Sequence, residues 1–124
     1  MKRIGLLSDT HGYVDYEMLN FFSNCDEIWH AGDIGDLAIA DKLALFKPLK
    51  AVHGNIDDHK VRLVYPAHLR FMCENVAIWI THIGGYPGHY EKEVRTELSM
   101  NPPKILICGH SHILKIILTG NATD

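Results

Sequence analysis

The sequence predicts an α/β fold in which a mixed β-sheet is flanked by helices, and three observations support it. Short apolar runs alternate with segments of helical periodicity in the first half of the chain, as in β–α–β units. Two consecutive strand-like runs follow and predict an antiparallel hairpin. The length of 124 residues fits one domain, residues 1–124.

Two helices are predicted between the first three apolar runs. Apolar side chains recur at helical spacing in residues 16–22, directly after Asp15, whose carboxylate can cap a helix N-terminus. The same spacing recurs in residues 39–46, after Asp36, and Pro48 ends that segment.

The second half of the chain predicts a hairpin, a third helix and a last strand. Residues 69–73 and 76–80 read as paired strands joined by a Glu74-Asn75 turn. A helix is predicted to begin at Pro87, a good first-turn residue, and to end at Asn101 before two prolines. Its buried face would carry Tyr90, Val94 and Leu98. Residues 113–118 predict the last strand, and residues 119–124 a polar end.

Composition excludes several classes of protein. The net charge of −3 and the absence of a Lys/Arg cluster argue against binding to extended nucleic acid. No run approaches the roughly 18 apolar residues of a membrane span, and Ser8 breaks the N-terminal run too early for a secretion signal. Cys25, Cys73 and Cys108 are far apart and odd in number, which favours free thiols in a reducing compartment. We therefore expect a cytoplasmic protein without a membrane partner.

Five apolar runs each end in residue types that bind metal ions. The motifs are Asp9-Thr10-His11, Gly32-Asp33, Gly54-Asn55, His82 and Gly109-His110-Ser111-His112. Open α/β sheets form their sites beyond the carboxyl ends of the strands. Glycine directly before a ligand lets the backbone turn sharply and approach a cation. We therefore expect one site, assembled at a single sheet edge.

The candidate ligands offer oxygen or nitrogen and no thiolate: Asp9, His11, Asp33, Asn55, His82, His110 and His112. This donor set suits manganese, iron, zinc or nickel. A single catalytic ion usually takes about three protein ligands, whereas two ions roughly 3.5 to 4 Å apart can share seven through a bridging aspartate. Two divalent ions carry four positive charges and the two aspartate carboxylates carry two negative ones. The site would therefore keep a net positive charge, which would attract a phosphate.

In this order and spacing, the five motifs resemble the signature of the calcineurin-like metallophosphoesterases, and in particular their small prokaryotic phosphodiesterase branch. The resemblance runs from residue 3 to about residue 117. It implies two β-sheets packed as a sandwich and flanked by helices. It also implies a first metal held by Asp9, His11, Asp33 and His112. The second metal would be held by Asp33, Asn55, His82 and His110, with Asp33 bridging.

The reaction implied by the resemblance is hydrolysis of a small phosphodiester by a hydroxide that bridges two divalent ions, with manganese the foremost candidate metal. Asp33, Asn55 and His82 would be the central catalytic residues. Many family members have a histidine after the Gly-Asn pair, where this chain has Ile56. Without that proton donor we expect a preference for diesters with acidic leaving groups.

The resemblance also predicts that the C-terminal strands of the family are missing from this chain. An exposed sheet edge would result, and with it a tendency to form homo-oligomers. The alternative function is a weakly active or inactive protein-binding scaffold, because a eukaryotic relative, the retromer scaffold subunit, keeps the fold but works mainly through protein contacts.

Other polar residues allow two interpretations. Asp36 recurs in the family motif but can equally act as a helix cap, and Asp57 is expected to orient a ligand or pair with a base. His89 could contact substrate or lie in solvent. The remaining histidines are expected to be structural within strands or ordinary loop residues: His30 and His53 in the first group, His59 and His68 in the second.

Overall fold

The computed structural model describes residues 2–83, 91–109 and 114–118, which form strands, helices and the loops between them. The elements in chain order are β1 (Ile4–Leu7), α1 (Tyr16–Phe21), β2 (Glu27–His30), α2 (Leu37–Phe46), β3 (Leu49–Ala51), α3 (His59–Val64), β4 (His68–Cys73), β5 (Val76–Thr81), α4 (Lys92–Met100), β6 (Ile105–Cys108) and β7 (Lys115–Leu118).

The strands form two sheets. The first has the order β1-β2-β3 and is parallel throughout, as expected for strands joined by helices. The second has the order β4-β5-β6-β7, in which β4 with β5 and β6 with β7 pair antiparallel, and β5 with β6 pair parallel. The predicted α/β class, the two-sheet arrangement and the hairpin are thereby confirmed.

The main core lies between the two sheets. Trp29 and Val52 contribute to this core from the side of the first sheet. They are buried against three residues of the second sheet, Ile78, Ile80 and Ile107. Successive side chains of a strand point to opposite faces of the sheet. The residues next in sequence to these core residues therefore point to the outer faces. The sandwich holds the carboxyl ends of β1, β2, β3, β5 and β6 at one end of the molecule.

Helices cover the outer faces. The first sheet is covered by α1, α2 and α3, through clusters centred on Ile28 with Leu43 and on Ala51 with Val61. The outer face of the second sheet is covered by α4, where Val94 packs against Trp79 and Leu106.

The first two predicted helices are confirmed, and one short helix was not predicted. Both α1 and α2 lie where predicted, and the carboxylates of Asp15 and Asp36 accept from the backbone N–H groups of Met18 and Ala38. Asp36 is therefore a helix cap. The short helix α3 was not predicted, because Val61 is its sole buried residue and gives no periodicity.

The third predicted helix begins later than expected. Glu91 has an extended ψ of 151° and precedes the first helical residue, Lys92, so the start predicted at Pro87 is wrong for α4. Val94 is buried on its inner face, as predicted, and Leu98 is half-buried. Pro87 and Tyr90 lie outside the described residues.

The edge strand β7 exposes apolar side chains. Ile116 pairs with Ile107 and Leu118 with Ile105, and both partners belong to the core between the sheets. Ile116 and Leu118 nevertheless remain 55% and 73% exposed. This edge of the sandwich is therefore apolar and open within the described part of the chain.

Two further predictions from composition can be compared with the structure. Cys25, Cys73 and Cys108 form no disulfide bond, as expected from their spacing. Among the helices described, none has the length and apolar character needed to cross a membrane.

A buried carboxylate anchors the end of the sandwich opposite the motifs. Glu27, at the start of β2, accepts hydrogen bonds from Lys2 Nζ, Trp29 Nε1 and Lys50 Nζ at 2.7, 3.0 and 3.1 Å. These hydrogen bonds, from Lys2 foremost, lower the pKa of Glu27 to about 2 from its usual 4.5. The charged form of Glu27 is thus stabilised by folding.

We predict that Glu27→Gln removes a pH-dependent part of the free energy of unfolding. Because the folded pKa is depressed, the stabilisation is complete above about pH 4.5 and is lost as the pH falls toward 2. Its size should be about 1 kcal/mol, since both lysines remain partly exposed. Urea unfolding from pH 7 downward measures it, with the exposed Glu17→Gln as control. An equal difference between Glu27→Gln and wild type at every pH would contradict the assignment.

Candidate metal centre

The loops after five strands converge at one end of the sandwich. Asp9 N donates to Gly32 O at 2.9 Å, and His11 N donates to Asp33 O at 3.0 Å, which joins the loops after β1 and β2. In the second sheet, Gly109 N donates to His82 O at 3.0 Å. These contacts join the loops after β1 and β2, and those after β5 and β6, as expected for motifs that meet at one edge.

The backbone is strained at three candidate ligands. Asp9, His11 and Asp33 have φ values of +55°, +49° and +59°, a left-handed conformation that costs non-glycine residues free energy. Such conformations persist where the surroundings fix them and are concentrated at functional sites. Here the hydrogen bonds between the first two loops supply that constraint.

The side chains of Asp9, Asp33 and His82 form a compact cluster whose ligand atoms lie within 4.8 Å of one another. His82 Nε2 lies 3.2 Å from Asp33 Oδ2 and 3.9 Å from Asp9 Oδ1. His11 Nε2 lies 3.7 Å from the same two oxygen atoms. The structure thus brings together four of the seven predicted ligands around two carboxylate oxygens.

The chemistry of this cluster fits a divalent cation. The side chains of Asp9 and Asp33 are each 5% exposed, and Asp9 Oδ1 accepts no hydrogen bond from the described residues. Two buried carboxylates side by side repel one another unless a cation or a proton compensates them. The oxygen and nitrogen donors are those that manganese, iron, zinc and nickel accept.

The ring orientation of His82 also suits ligation. Its Nδ1 lies 2.8 Å from Ala31 O, a carbonyl that can only accept, so Nδ1 carries the proton. In the neutral ring, Nε2 then presents its lone pair to the carboxylates of Asp9 and Asp33. A metal-binding histidine is commonly oriented by this type of hydrogen bond.

Glycine is required on both sides of the cluster. A Cβ atom at Gly32 would lie 2.6 Å from His82 Nδ1, and Gly32 has a φ of +103°. A Cβ atom at Gly54 would collide with Asp33 Oδ1, and one at Gly109 with Ser8 Oγ. The three glycines of the motifs therefore let the backbone pack directly on the candidate ligands.

Asp57 joins the loops after β2 and β3. Its buried carboxylate accepts from the backbone N–H groups of Ile34, Gly35 and Gly54 at 3.1, 2.7 and 2.8 Å. The structure therefore supports the expectation that Asp57 orients a candidate ligand, because these loops carry Asp33 and Asn55. Its carboxylate acts through backbone groups.

Arg62 of α3 fixes the same loop from the other side, a contact that spacing in the sequence did not predict. Its guanidinium donates to the carbonyl oxygens of Asp57, Gly54 and Asn55 at 2.7, 3.2 and 3.3 Å. Because an arginine guanidinium carries five N–H donors in a rigid plane, a single arginine can donate to several acceptors at once. The unpredicted helix α3 thus supplies part of the support for the Gly54-Asn55 motif.

His30 and His53 are hydrogen-bonded structural residues, as expected. His30 Nδ1 accepts from Gly32 N at 3.1 Å, so its Nε2 carries the proton and donates to Thr10 Oγ1 at 3.0 Å. Burial lowers the pKa of His30 to about 4, which keeps the ring neutral. His53 Nδ1 lies 2.9 Å from the carbonyl oxygen of Tyr65 and donates to it.

The other predicted site residues are placed less completely. Asn55 is exposed and lies between Gly54, which packs on Asp33, and Ile56, whose N–H donates to Asp33 Oδ1 at 3.0 Å. His89, His110 and His112 lie outside the described residues. Their predicted roles stay predictions.

The sequence model of the calcineurin-like phosphoesterase superfamily domain matches residues 1–122. The chain belongs to this superfamily. It is 29% identical over 117 residues to a probable metallophosphoesterase of Methanothermobacter thermautotrophicus, covering 88% of this chain and 66% of that protein. A second probable metallophosphoesterase, from Methanocaldococcus jannaschii, is 31% identical over 115 residues, covering 88% of this chain and 58% of the relative. The chain thus spans less than two thirds of the length of these relatives.

Solved structures of this superfamily fold resemble the chain at lower sequence identity. Vps29 of Chaetomium thermophilum has a TM-score of 0.72 at 17% identity, covering 91% of this chain and 64% of that one. A structure described as a novel archaeal phosphodiesterase has a TM-score of 0.65 at 19% identity, covering 90% and 80%. At these identities the similarity is evidence for the fold alone.

We predict that Asp57→Asn weakens the candidate metal centre without removing any of its ligands. An amide keeps one acceptor oxygen but places an NH₂ group against backbone N–H donors. The free energy of unfolding should therefore fall by about 2 to 3 kcal/mol, and Mn²⁺ affinity by roughly 10- to 100-fold. Thermal unfolding and calorimetric Mn²⁺ titration measure the two effects.

The neighbouring Asp58→Asn is the matched control, because asparagine also caps a helix and Asp58 caps α3. It should leave Mn²⁺ affinity within about twofold of wild type. If Asp57→Asn bound Mn²⁺ as tightly as Asp58→Asn does, the positioning role of Asp57 would be refuted.

Proposed function

We propose that this chain is a metal-dependent phosphodiesterase that uses two divalent ions, with manganese the foremost candidate. The observation that carries the proposal is the buried cluster of Asp9, Asp33 and His82, with His11 beside it. Membership of the calcineurin-like phosphoesterase superfamily supports hydrolysis of a phosphoester bond.

The residues divide into distinct tasks. When bound, the two ions would neutralise phosphate charge and activate water for attack on phosphorus. Asp33 is proposed to bridge them, since both His11 Nε2 and His82 Nε2 lie near its Oδ2, at 3.7 and 3.2 Å. The other oxygen, Oδ1, is held by Ile56 N–H, which fixes the carboxylate plane. Asn55, His110 and His112 would complete the two ligand sets.

A small phosphorylated substrate fits the surroundings of this cluster. An open cleft of about 470 Å³ is lined by Asn55 and His82, and its charged lining residues are Arg62 and Lys92 together with Glu91 and Glu93. These side-chain charges balance, so the bound ions would supply the attraction for a phosphodiester anion. Ile56, at the position of the family's proton donor, is 47% exposed and has no ionisable group, so acidic leaving groups should react best.

A protein-binding scaffold is the alternative function, and the fold similarity to Vps29 is the observation that allows it. The candidate ligand set argues for catalysis. Among described residues, each of Asp9, His11, Asp33 and His82 is retained and lies at the cluster, whereas a scaffold has no need of strained backbone at three of them.

We further propose that a second copy of the chain covers the open edge at β7. Ile116 and Leu118 extend the inner face of the sandwich but are exposed, and among the described strands β7 pairs with β6 alone. An apolar edge strand of this kind pairs readily with another chain.

The wild-type chain should therefore sediment as a dimer, and the double substitution Ile116→Lys and Leu118→Lys should give monomers, because lysine on an edge strand opposes pairing. Met72→Lys is the control, since Met72 is 64% exposed on the other edge strand, β4. Analytical ultracentrifugation measures the oligomeric state of the wild type and of each variant. A wild-type monomer across the accessible concentration range would exclude the dimer.

Hydrolysis of bis(4-nitrophenyl) phosphate with added Mn²⁺ tests the proposed activity. Asp33→Ala and His82→Ala should each lower kcat/KM by roughly 10³-fold or more, which corresponds to about 4 kcal/mol of transition-state stabilisation. The exposed His59→Ala, on α3, should retain wild-type activity. The proposal fails if Asp33→Ala remains active, or if alkyl phosphomonoesters react faster than the diester.

A further inference from the structure

Thr10 is a buried residue between two strained candidate ligands, and its hydroxyl makes two hydrogen bonds. Asp9 and His11, on either side of it, have the left-handed φ values of +55° and +49°. The Thr10 hydroxyl donates to the carbonyl oxygen of Ile34 at 2.9 Å and lies 3.0 Å from His30 Nε2. Thr10 is therefore held on two sides, although it belongs to neither candidate ligand set.

The direction of each hydrogen bond around Thr10 follows from its partners. A carbonyl oxygen can only accept, so the hydroxyl proton of Thr10 points to Ile34 O. The backbone N–H of Gly32 can only donate, so His30 Nδ1 accepts from it at 3.1 Å and the ring proton is on Nε2. That proton points to a lone pair of the Thr10 hydroxyl. A relay of three hydrogen bonds thus runs from Gly32 through His30 and Thr10 to Ile34.

This relay joins the two turns that carry the aspartates of the cluster. Its ends, Gly32 and Ile34, lie on either side of Asp33, and its centre, Thr10, lies within the turn of residues 9–11. The residues of the relay are all buried, so a donor or acceptor that lost its partner could not turn to water and would cost free energy. The relay therefore opposes any separation of the two turns.

The relay also opposes relaxation of the strained backbone. Left-handed conformations of non-glycine residues persist where the surroundings fix them. Backbone hydrogen bonds to the second turn fix Asp9 N and His11 N, and the relay fixes the side chain of the residue between them. Relaxation of φ at Asp9 or His11 would displace that residue's ligand atoms, which now lie 3.7 Å apart. A fixed Thr10 therefore helps to keep these atoms in place.

We infer that Thr10 is a positioning residue for the candidate metal centre. Its hydroxyl, oriented by His30, holds the turn of Asp9 and His11 against the turn of Asp33, so that the ligand atoms are in place before an ion binds. A ligand set that needs little ordering on binding holds its ion more tightly. This inference rests on the proposed metal-dependent function and adds two residues, Thr10 and His30, that set its metal affinity.

Calorimetric titration of the metal-free chain with Mn²⁺ tests the inference. Thr10→Val has nearly the same shape but no hydroxyl, and should weaken Mn²⁺ binding by roughly 10-fold or more. Thr10→Ser keeps the hydroxyl and should bind Mn²⁺ nearly as tightly as wild type. Thr81→Val is the matched control, because Thr81 is also buried and adjoins the candidate ligand His82, but its hydroxyl faces Ala67 O at 3.4 Å. It should leave Mn²⁺ affinity unchanged.

The comparison of affinity with stability separates a positioning role from a purely structural one. Loss of the hydroxyl should lower the unfolding temperature of Thr10→Val in either case, so titrations are made at a temperature where every variant is folded. A purely structural hydroxyl would leave the Mn²⁺ affinity of folded Thr10→Val unchanged. That result would overturn the inference, as would a Thr10→Ser variant that binds Mn²⁺ as weakly as Thr10→Val. If Thr10→Val does not fold, Thr10→Ala removes the same hydroxyl and takes its place.

The relay itself can be measured in the metal-free wild type, without any substitution. Long-range ¹H–¹⁵N spectra of the chain with ¹⁵N-labelled histidine should show His30 with its proton on Nε2 and with Nδ1 unprotonated near neutral pH. A proton on Nδ1 would mean that His30 cannot accept from Gly32 N–H and donate to Thr10, and would overturn the inference.

Hydrolysis of bis(4-nitrophenyl) phosphate by the Mn²⁺-loaded wild type, measured in parallel, separates this inference from the proposed function. Hydrolysis by the wild type, together with equal Mn²⁺ affinities of the wild type and Thr10→Val, refutes the positioning role and leaves the phosphodiesterase proposal intact. Weaker Mn²⁺ binding by Thr10→Val, without hydrolysis by the wild type, supports the positioning role and refutes the proposed activity.

Discussion

The structure depends on holding two carboxylates, Asp9 and Asp33, close together in a buried place. Like charges in such surroundings repel strongly, and left-handed backbone at both residues adds a further cost. The surrounding loops compensate through hydrogen bonds between backbones and through the Asp57 carboxylate, which binds three N–H groups. A cation between the carboxylates would turn this repulsion into attraction, which explains why the fold tolerates it.

The two sheets make different contributions to this arrangement. The first sheet carries both aspartates on the loops that follow β1 and β2, and the second carries His82 after β5. The link between them is short, since His82 Nδ1 donates to Ala31 O at 2.8 Å and the ring packs directly on Gly32. The position of His82 relative to Asp33 is therefore set by the packing of the sandwich itself. Core substitutions that separate the sheets should disturb the site before they unfold the chain.

Much of the fold and four members of the cluster could be predicted from the sequence. Apolar runs that end in Gly-Asp, Gly-Asn or Asp-x-His locate strand ends well, because both the burial of the run and the sharp turn are local properties. Helix α3 was missed, since a six-residue helix with Val61 as its buried residue has no periodic signal. The contacts of Asp57 and Arg62 were also beyond prediction in detail, because they involve backbone groups brought together by folding. The hydrogen bonds of Thr10 are a similar case. Its hydroxyl accepts from His30 Nε2 and donates to Ile34 O at 2.9 Å, and no spacing in the sequence predicts these two contacts.

We propose that Asp33 bridges two divalent ions at the meeting point of the two sheets. Anomalous X-ray diffraction at the manganese absorption edge, from crystals of the chain soaked in Mn²⁺, tests it most directly. The account predicts two anomalous peaks roughly 3.5 to 4 Å apart, with the Asp33 carboxylate in contact with both. A single fully occupied peak, or peaks that do not contact Asp33, would contradict it.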